Sequence, residues 1–415
     1  MKLYRKLLIL TLLGVALNAT SLKEIIQSTL DNNHNIKAST LNTLSKQKSF
    51  HSLKNIYNPT ITVGANYSRL DLDKREVQIG ATSTGFIKLG VNLYDGGKSQ
   101  AIKKQKEYEY KSSLSTTNFN KKETILQIVN LFFQTKTVME NIKTFQEKGV
   151  TLQAEYKRVK TKYDLKMVTK DEVLKLQSEY ETNQYTIEEL KYQKEELLKQ
   201  LTLLADKDIN SLDDSKLPEV KNLAFKYSQN VKALKFDIKA QNENIAVVSS
   251  VNRPQIKIEN SLNFYNYNEY NEKLLSDLPD KQNQFMLTLS YNLFDTVSKE
   301  KTQSAKLAKL SSISKLNYLK NQEKINFDLA KQRLKTQKLK ILSLQSAVKM
   351  GNSLYNMVKI KYQNGIADNI TYLDALSKKI YNQALYKQAL NDYEIAKANY
   401  YFNSGVDYRE VLKIW

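Results

Sequence analysis

Hydrophobic and polar residues alternate in four short stretches of the chain, at about 59–70, 84–94, 254–266 and 284–294. In the second stretch, Ile87, Leu89 and Val91 alternate with polar residues or glycine, whereas Asn260 interrupts the apolar row of the third. Period-two alternation gives a β-strand one apolar and one polar face. Each stretch has about ten residues, the length of a tilted membrane-spanning strand. The pattern predicts four such strands, although a half-buried sheet of a soluble protein shows the same alternation.

Two long stretches without proline, residues 97–163 and 296–362, predict long helices. At 1.5 Å per residue, each would be about 100 Å long if straight. In the second stretch one series of mostly apolar residues recurs every seven positions: Phe327, Leu334, Ile341, Val348, Tyr355 and Tyr362. Such a repeat predicts coiled-coil packing. Three positions after each of these residues lie smaller or polar residues, such as Ala330 and Gln337, which favour looser packing than in a simple dimeric zipper.

The order of these elements occurs twice along the chain. Pro59 and Pro254, each just before an alternating stretch, are 195 residues apart, and Tyr163 and Tyr362 are 199 apart. Each half reads helix, strand, strand, long helix, turn, long helix. We therefore predict a first repeat at 20–215, a second at 216–405 and a C-terminal tail at 406–415, with helix-turn-helix tips near 163–172 and 362–371. The polar segment from Asp206 to Pro218 is typical of a linker between the repeats.

The first 19 residues resemble a secretory signal peptide. Lys2, Arg5 and Lys6 form a positive start, residues 7–17 are nearly all apolar, and Ala19 suits a cleavage site. An N-terminal anchor helix is the alternative interpretation. No later stretch approaches the ~20 apolar residues that a membrane helix needs. The sequence therefore predicts an exported chain.

Composition narrows the function classes. The net charge is +21, from 64 basic and 43 acidic residues, but the lysines are scattered and form no basic cluster with interleaved aromatics. This pattern indicates solvated helix surfaces and argues against a nucleic-acid partner. Cysteine is absent, and the two histidines, His34 and His51, make a poor metal site. With no motif of a hydrolase or metalloprotease, the sequence predicts no cofactor, no metal and no enzymatic activity.

Four strands are too few for a closed barrel, since the smallest membrane barrels have about eight. Open strand edges are not tolerated in lipid, because each unpaired backbone group costs several kcal/mol. If these strands enter a membrane, several copies must share one barrel. The strand count alone leaves two, three or four copies open.

Several segments resemble the TolC-like outer membrane factor family. They are the Asn-Pro before the first strand, the Leu-Tyr-Asp-Gly-Gly at 93–97, the stretch 362–376 and the closing segment 393–405. The resemblance covers nearly the whole mature chain. It implies a fold that is mainly α with a β-barrel portion, in which a homotrimer forms a 12-stranded barrel in the outer membrane and an α-helical barrel in the periplasm. It also implies a passive exit duct of a tripartite efflux system, whose partners are outer-membrane lipid, a periplasmic adaptor and an inner-membrane pump.

The same resemblance points to residues at the tips. Asp374 matches a family position whose carboxylates form a ring at the channel entrance, where three close carboxylates would have raised pKa values. A second acidic position of the family is Thr371 here, so we expect a single ring. An ordinary solvated carboxylate is the alternative interpretation of Asp374.

The two turns differ at the position where the family has glycine. Gly365 permits the reversal in the second tip, whereas Lys166 stands at the matching place in the first and leaves the shape of that turn open. Glu172 and Tyr362 match partners that hold the closed state of the family's channels, so we expect a hydrogen bond between them.

Gly96 and Gly97 lie where the second strand should pass into the long helix, and glycine suits a sharp bend there. A phosphate-binding loop would need a third glycine and a following Lys-Ser or Lys-Thr, which are absent.

Two alternatives to an efflux duct remain at this stage. A duct for protein secretion has the same fold. A periplasmic coiled-coil structural or adaptor protein explains the signal peptide and the heptads, but not the alternating stretches in both halves.

Overall fold

The computed structural model describes residues 19–71, 78–219, 222–271 and 273–406. The predicted signal peptide and C-terminal tail lie outside these ranges, apart from residues 19 and 406. The helices are α1 (Leu22–Asn32), α2 (His34–Ser52), α3 (Lys98–Asp164), α4 (Lys170–Ala205), α5 (Gln229–Ser249), α6 (Thr296–Gln363) and α7 (Asn369–Asn403). The strands are β1 (Thr60–Arg69), β2 (Ala81–Asp95), β3 (Gln255–Asn268) and β4 (Lys281–Ser290).

The long helices form where the sequence predicts them. α3 has 67 residues and α6 has 68, and neither contains proline. Every residue of the predicted seven-residue series on α6 is buried or half-buried, as is the series three positions later. Phe327, the first member, stacks on Tyr400 of α7 with ring centroids 5.5 Å apart. The heptad pattern therefore marks the face along which α6 packs. Among the described residues, no helix combines the length and apolar character that a membrane-crossing helix needs.

The four strands form one antiparallel sheet in the order β1-β2-β3-β4. The middle pair joins the two halves of the sequence, since β2 of the first half pairs with β3 of the second. Register aligns the apolar rows: Val63 is opposite Ile87, and Ile87 is opposite Leu262. Asn260, which interrupts its row, lies on this same apolar face, opposite Leu89.

Strand ends differ from the predicted ones for reasons of hydrogen bonding. β2 begins at Ala81 rather than near residue 84, because the backbone of Gly80 bonds to Glu269 and closes that end of the sheet. β4 ends at Ser290 rather than near 294. Its partner β3 begins at Gln255, after Pro254, which has no N–H to donate. Beyond Ser290 the chain turns into α6, whose first turn is capped by Asp295 through a 3.0 Å bond from the Ser298 N–H.

The chain forms two compact units, and each unit contains segments from both halves of the sequence. The first unit contains the described residues of 1–38, 118–228 and 321–415, and the second contains those of 39–117 and 229–320. The predicted repeats therefore describe the sequence rather than compact bodies.

The described residues of the first unit form three apolar clusters. One joins α1, α3, α4 and α7 around fully buried side chains that include Ile25, Ile128, Phe132 and Leu201. Another lies at the helix tips, and a small one joins Phe327 of α6 to Tyr400 of α7. The described residues of the polar segment between α4 and α5 are hydrogen-bonded to α7. The Leu217 N–H donates to Glu394 at 2.8 Å, and the Leu223 N–H donates to the Tyr400 hydroxyl at 3.1 Å.

The second unit contains the sheet together with helices from both halves. Ser112 of α3 donates to the Ala233 carbonyl of α5 at 3.1 Å, and the ring of Tyr108 stacks on that of Phe236. The long helix α3 of the first half thus packs against α5, the helix that precedes the strands of the second half.

Candidate functional site at the helix tips

The turn between α6 and α7 has the hydrogen bonds of a Schellman motif. Gly365 has a φ of 74°, its N–H donates to the Tyr362 carbonyl at 3.1 Å, and the Ile366 N–H donates to the Lys361 carbonyl at 2.8 Å. Asp368 then caps α7 by accepting the Thr371 N–H at 2.7 Å. This bond holds the pKa of Asp368 below its usual value. Because the folded pKa is lowered, the cap contributes at neutral pH and is lost as the pH falls through that value.

The turn between α3 and α4 has the same geometry, although lysine replaces glycine. Lys166 has a φ of 59°, its N–H donates to the Tyr163 carbonyl at 2.8 Å, and the Met167 N–H donates to the Lys162 carbonyl at 2.9 Å. The sequence did not predict the shape of this turn. In the structure, its hydrogen bonds hold Lys166 in the left-handed conformation that residues with a Cβ disfavour. Thr169, at the start of α4, makes no capping bond with its side chain.

We expect Lys166→Gly to stabilise the protein by about 1 kcal/mol, because a left-handed conformation costs a residue with a Cβ about 1–2 kcal/mol. The matched variant Gly365→Ala should destabilise it by a similar amount. Guanidinium unfolding followed by circular dichroism measures both. Loss of stability in Lys166→Gly would mean that the lysine side chain itself holds the turn.

Three tyrosines form the centre of the tip cluster. The rings of Tyr362 and Tyr372 stack with centroids 4.7 Å apart, and the hydroxyls of Tyr355 and Tyr372 are 3.3 Å apart. Tyr372 is fully buried among residues such as Leu176 of α4. Burial raises the pKa of Tyr372 and of Tyr362. The cluster therefore joins the tip helices of both sequence halves through neutral aromatic side chains.

The predicted hydrogen bond between Glu172 and Tyr362 is not formed within the chain. Arg158 of α3 lies over the Tyr362 ring instead, with its guanidinium carbon 4.8 Å from the centroid, and its Nε donates to Glu155 at 2.7 Å. Glu172 takes part in this region through its backbone: its carbonyl accepts a 3.3 Å hydrogen bond from the side-chain amide of Asn369. Within one chain, the half-buried guanidinium satisfies both a carboxylate and an aromatic face, and the Glu172–Tyr362 bond stays a prediction for the closed duct.

Asp374 lies on the exposed surface of α7. Its carboxylate pairs with Lys378 one turn further on, at 2.8 Å. It also borders a shallow cleft of about 430 Å³ between α4 and α7, lined by Lys175, Ser178, Glu179, Ile370, Leu373 and Ser377 as well. A single chain thus leaves the carboxylate accessible but partly neutralised by its neighbour.

The glycine pair lies in the second unit, at the joint between β2 and α3. Gly96 and Gly97 have φ values of 67° and 81°. A Cβ on Gly96 would lie 2.7 Å from the Ser250 carbonyl oxygen, and the Gly96 carbonyl accepts a 3.0 Å bond from Arg253. The bend therefore requires glycine at Gly96 for both its conformation and its close contact.

Sequence reasoning placed Lys166, Glu172, Tyr362, Gly365 and Asp374 at the tips, where the structure also has them. It missed Arg158, Glu155 and Tyr372. Arginine is rare in this lysine-rich chain, so Arg158 was a usable signal, because arginine is the cation best suited to stacking on a ring.

Comparison with known proteins identifies the architecture. The family model described as outer membrane efflux protein matches residues 25–205. Three similar solved structures are outer-membrane proteins: the Campylobacter jejuni channel CmeC, the Neisseria gonorrhoeae channel MtrE and Vibrio cholerae VceC. A search of curated protein sequences gives no match.

The likeness in fold extends over most of each chain. CmeC is 17% identical with a TM-score of 0.80, over 92% of this chain and 85% of its own. MtrE is 16% identical with a TM-score of 0.77, over 92% and 88%. VceC is 12% identical with a TM-score of 0.79, over 92% and 96%.

Proposed function

We propose that three copies of this chain, whose residues 25–205 match the family model of outer membrane efflux proteins, form an exit duct through the outer membrane, which serves a tripartite efflux system. One observation carries the proposal: the sheet exposes an apolar face and has two unpaired edges. On that face Val63 is 74% exposed and Leu289 is 69% exposed. Side chains of this kind, at alternate positions of ten-residue strands, suit contact with lipid.

The edges explain why the duct needs several copies. β1 and β4 each have a neighbour on one side only. Because the sheet has an even number of antiparallel strands, β4 of one copy also runs antiparallel to β1 of the next. Ring closure therefore satisfies every backbone group in lipid. Three copies give twelve strands, the number that the family resemblance implies.

The tips are the proposed periplasmic entrance. In this arrangement a periplasmic adaptor and an inner-membrane pump engage the tip helices, and the Asp374 carboxylates of three copies face one another at the entrance. The duct itself performs no covalent chemistry. The exposed cleft between α4 and α7 supports an entrance at which a partner makes contact, since it contains both apolar and charged side chains.

The mass of the protein extracted from outer membranes in mild detergent tests the assembly. Light scattering should give three protomers, and micrographs should show threefold tubes. A monomer or dimer in the soluble periplasm, whatever the detergent, would contradict the duct and favour a coiled-coil scaffold. Export of a protein substrate rather than small molecules would favour the secretion duct, which shares the fold.

We expect loss of the Arg158 contact to increase ion leak through the resting duct. A cation stacked on an aromatic ring contributes about 1 kcal/mol, so its loss multiplies the open fraction roughly fivefold per chain. Arg158→Gln should therefore raise the conductance in a planar bilayer, and Tyr362→Phe should raise it less because the ring remains. Arg333→Gln, at an exposed position of α6, is the matched control. Equal conductance in Arg158→Gln and Arg333→Gln would rule out this contact as a latch.

A further inference from the structure

Three charged side chains meet on the polar face of the sheet. The Glu259 carboxylate of β3 forms two ion pairs. Its Oε1 lies 2.7 Å from Nζ of Lys88 on β2 and 2.8 Å from Nζ of Lys257 on its own strand. We call these three residues the basic collar. One carboxylate shared by two ammonium groups leaves a net charge of +1 per chain.

The register places the collar on the face opposite the apolar rows. Lys88 lies between Ile87 and Leu89 on β2, and it is opposite Thr62 of β1 and Ser261 of β3. Lys257 and Glu259 flank Ile258 on β3. Since neighbouring residues of a strand point to opposite faces, the collar lies on the side that a closed barrel turns towards its water-filled interior.

The lysines are more accessible than the glutamate. The Lys88 and Lys257 side chains are 46% and 48% exposed, whereas the Glu259 side chain is 19% exposed. The carboxylate thus lies beneath two ammonium groups and fixes their positions. A solute that passes this face meets the positive groups first.

We propose that the basic collar makes the barrel interior favour anionic solutes, so that the cargo class of the duct is small anions or amphiphiles with an anionic group. The inference rests on the proposed function. Three copies contribute a net charge of +3 around one channel. The carboxylate at the tip that would favour cations, Asp374, is paired with Lys378 in each chain, which weakens the opposing selection at the entrance.

The expected size of the effect follows from screened electrostatics. At 0.1 M salt the Debye length is about 10 Å, so charges on the wall of a barrel act on ions near its axis. Three net charges at that distance should change the ratio of anion to cation concentration by roughly two- to fivefold.

The chain has no cysteine, so a single Thr62→Cys substitution beside Lys88 reports the local potential. The measurement compares how fast anionic and cationic methanethiosulfonate reagents modify this thiol in the full-length protein, reconstituted as a channel. The anionic reagent should react faster. The rate ratio should fall roughly two- to fivefold when Lys88→Gln and Lys257→Gln are added.

Two further variants guard against indirect effects. Glu259→Gln should raise the ratio, a change opposite in sign that a folding defect would not produce. Lys281→Gln should leave it unchanged, because Lys281 lies opposite Phe264 on the apolar face. A rate ratio that is the same in all these variants, or that favours the cationic reagent, would overturn the inference.

Bilayer recording of the same preparations separates this inference from the proposed function. Channels whose reversal potential in a KCl gradient favours chloride, and favours it less in the Lys88→Gln and Lys257→Gln chain, would support both. Channels that lack this shift would overturn the collar alone. A trimer without any channel conductance would overturn the duct, and the collar with it.

Discussion

Replacing Lys397 with methionine should lower the free energy of unfolding by about 3–5 kcal/mol, because it leaves a buried carboxylate without its partner. The Lys397 side chain is only 2% exposed, and its Nζ lies 2.8 Å from Glu394. The same Nζ donates to the Leu217 carbonyl at 2.9 Å, which fixes the segment between the two halves onto α7. Methionine keeps much of the length of the side chain but supplies neither interaction. Guanidinium unfolding monitored by circular dichroism gives the change.

A double substitution separates the charge from the packing. Glu394→Gln added to Lys397→Met removes the unpaired charge, while the amide oxygen still accepts the Leu217 N–H. Most of the lost stability should return, with a coupling energy of about 2–3 kcal/mol between the two positions. Lys387→Met is the control at an exposed ion pair, 3.4 Å from Glu140, and should cost less than about 1 kcal/mol. Additive effects of the two substitutions would refute a buried, coupled pair.

Replacing Tyr372 with alanine should cost about 3–5 kcal/mol, as for other large-to-small changes in a core. The side chain is fully buried and contacts both Tyr355 and Tyr362. Its loss opens a cavity at the point where the tip helices of the two halves meet. Besides the fall in stability, limited proteolysis should show new cleavage in the turns near Lys166 and Gly365.

Two other tyrosine variants define what the ring contributes. Tyr372→Phe keeps the stacking and loses only the 3.3 Å hydroxyl contact with Tyr355, so it should cost about 1 kcal/mol. Tyr381→Ala, at an exposed position of the same helix, should change stability by less than about 0.5 kcal/mol. If Tyr372→Ala were as mild as Tyr381→Ala, the tip cluster would not be a core.

Sequence reasoning served well wherever the determining interactions are local. Hydrogen bonds between nearby residues build a helix, so the absence of proline and the seven-residue series on α6 predicted both its extent and its packing face. Alternation along a strand likewise predicted which residues share a face of the sheet. The strand ends were less accurate, because the partner strand decides them: Pro254, just before β3, ends the pairing of β4.

Contacts between residues that are far apart in the sequence could not be predicted from these local patterns. Lysine in a helix usually indicates a solvated surface, so no local pattern indicated that Lys397 is buried against a segment 180 residues away. Arg158, rather than Glu172, meets Tyr362 because the packing of α3 on α6 sets which side chain lies over that ring. The left-handed conformation of Lys166 is decided by the two helices that the turn must connect.

The sequence by itself determined the order of elements, the long helices and the alternating strands, because each depends on hydrogen bonding and on the placement of apolar residues along one segment. The tertiary structure alone decided that β2 pairs with β3, that Arg158 covers Tyr362, and that two lysines share Glu259 on the polar face. These pairings depend on how separate segments meet in space, which local preference does not specify.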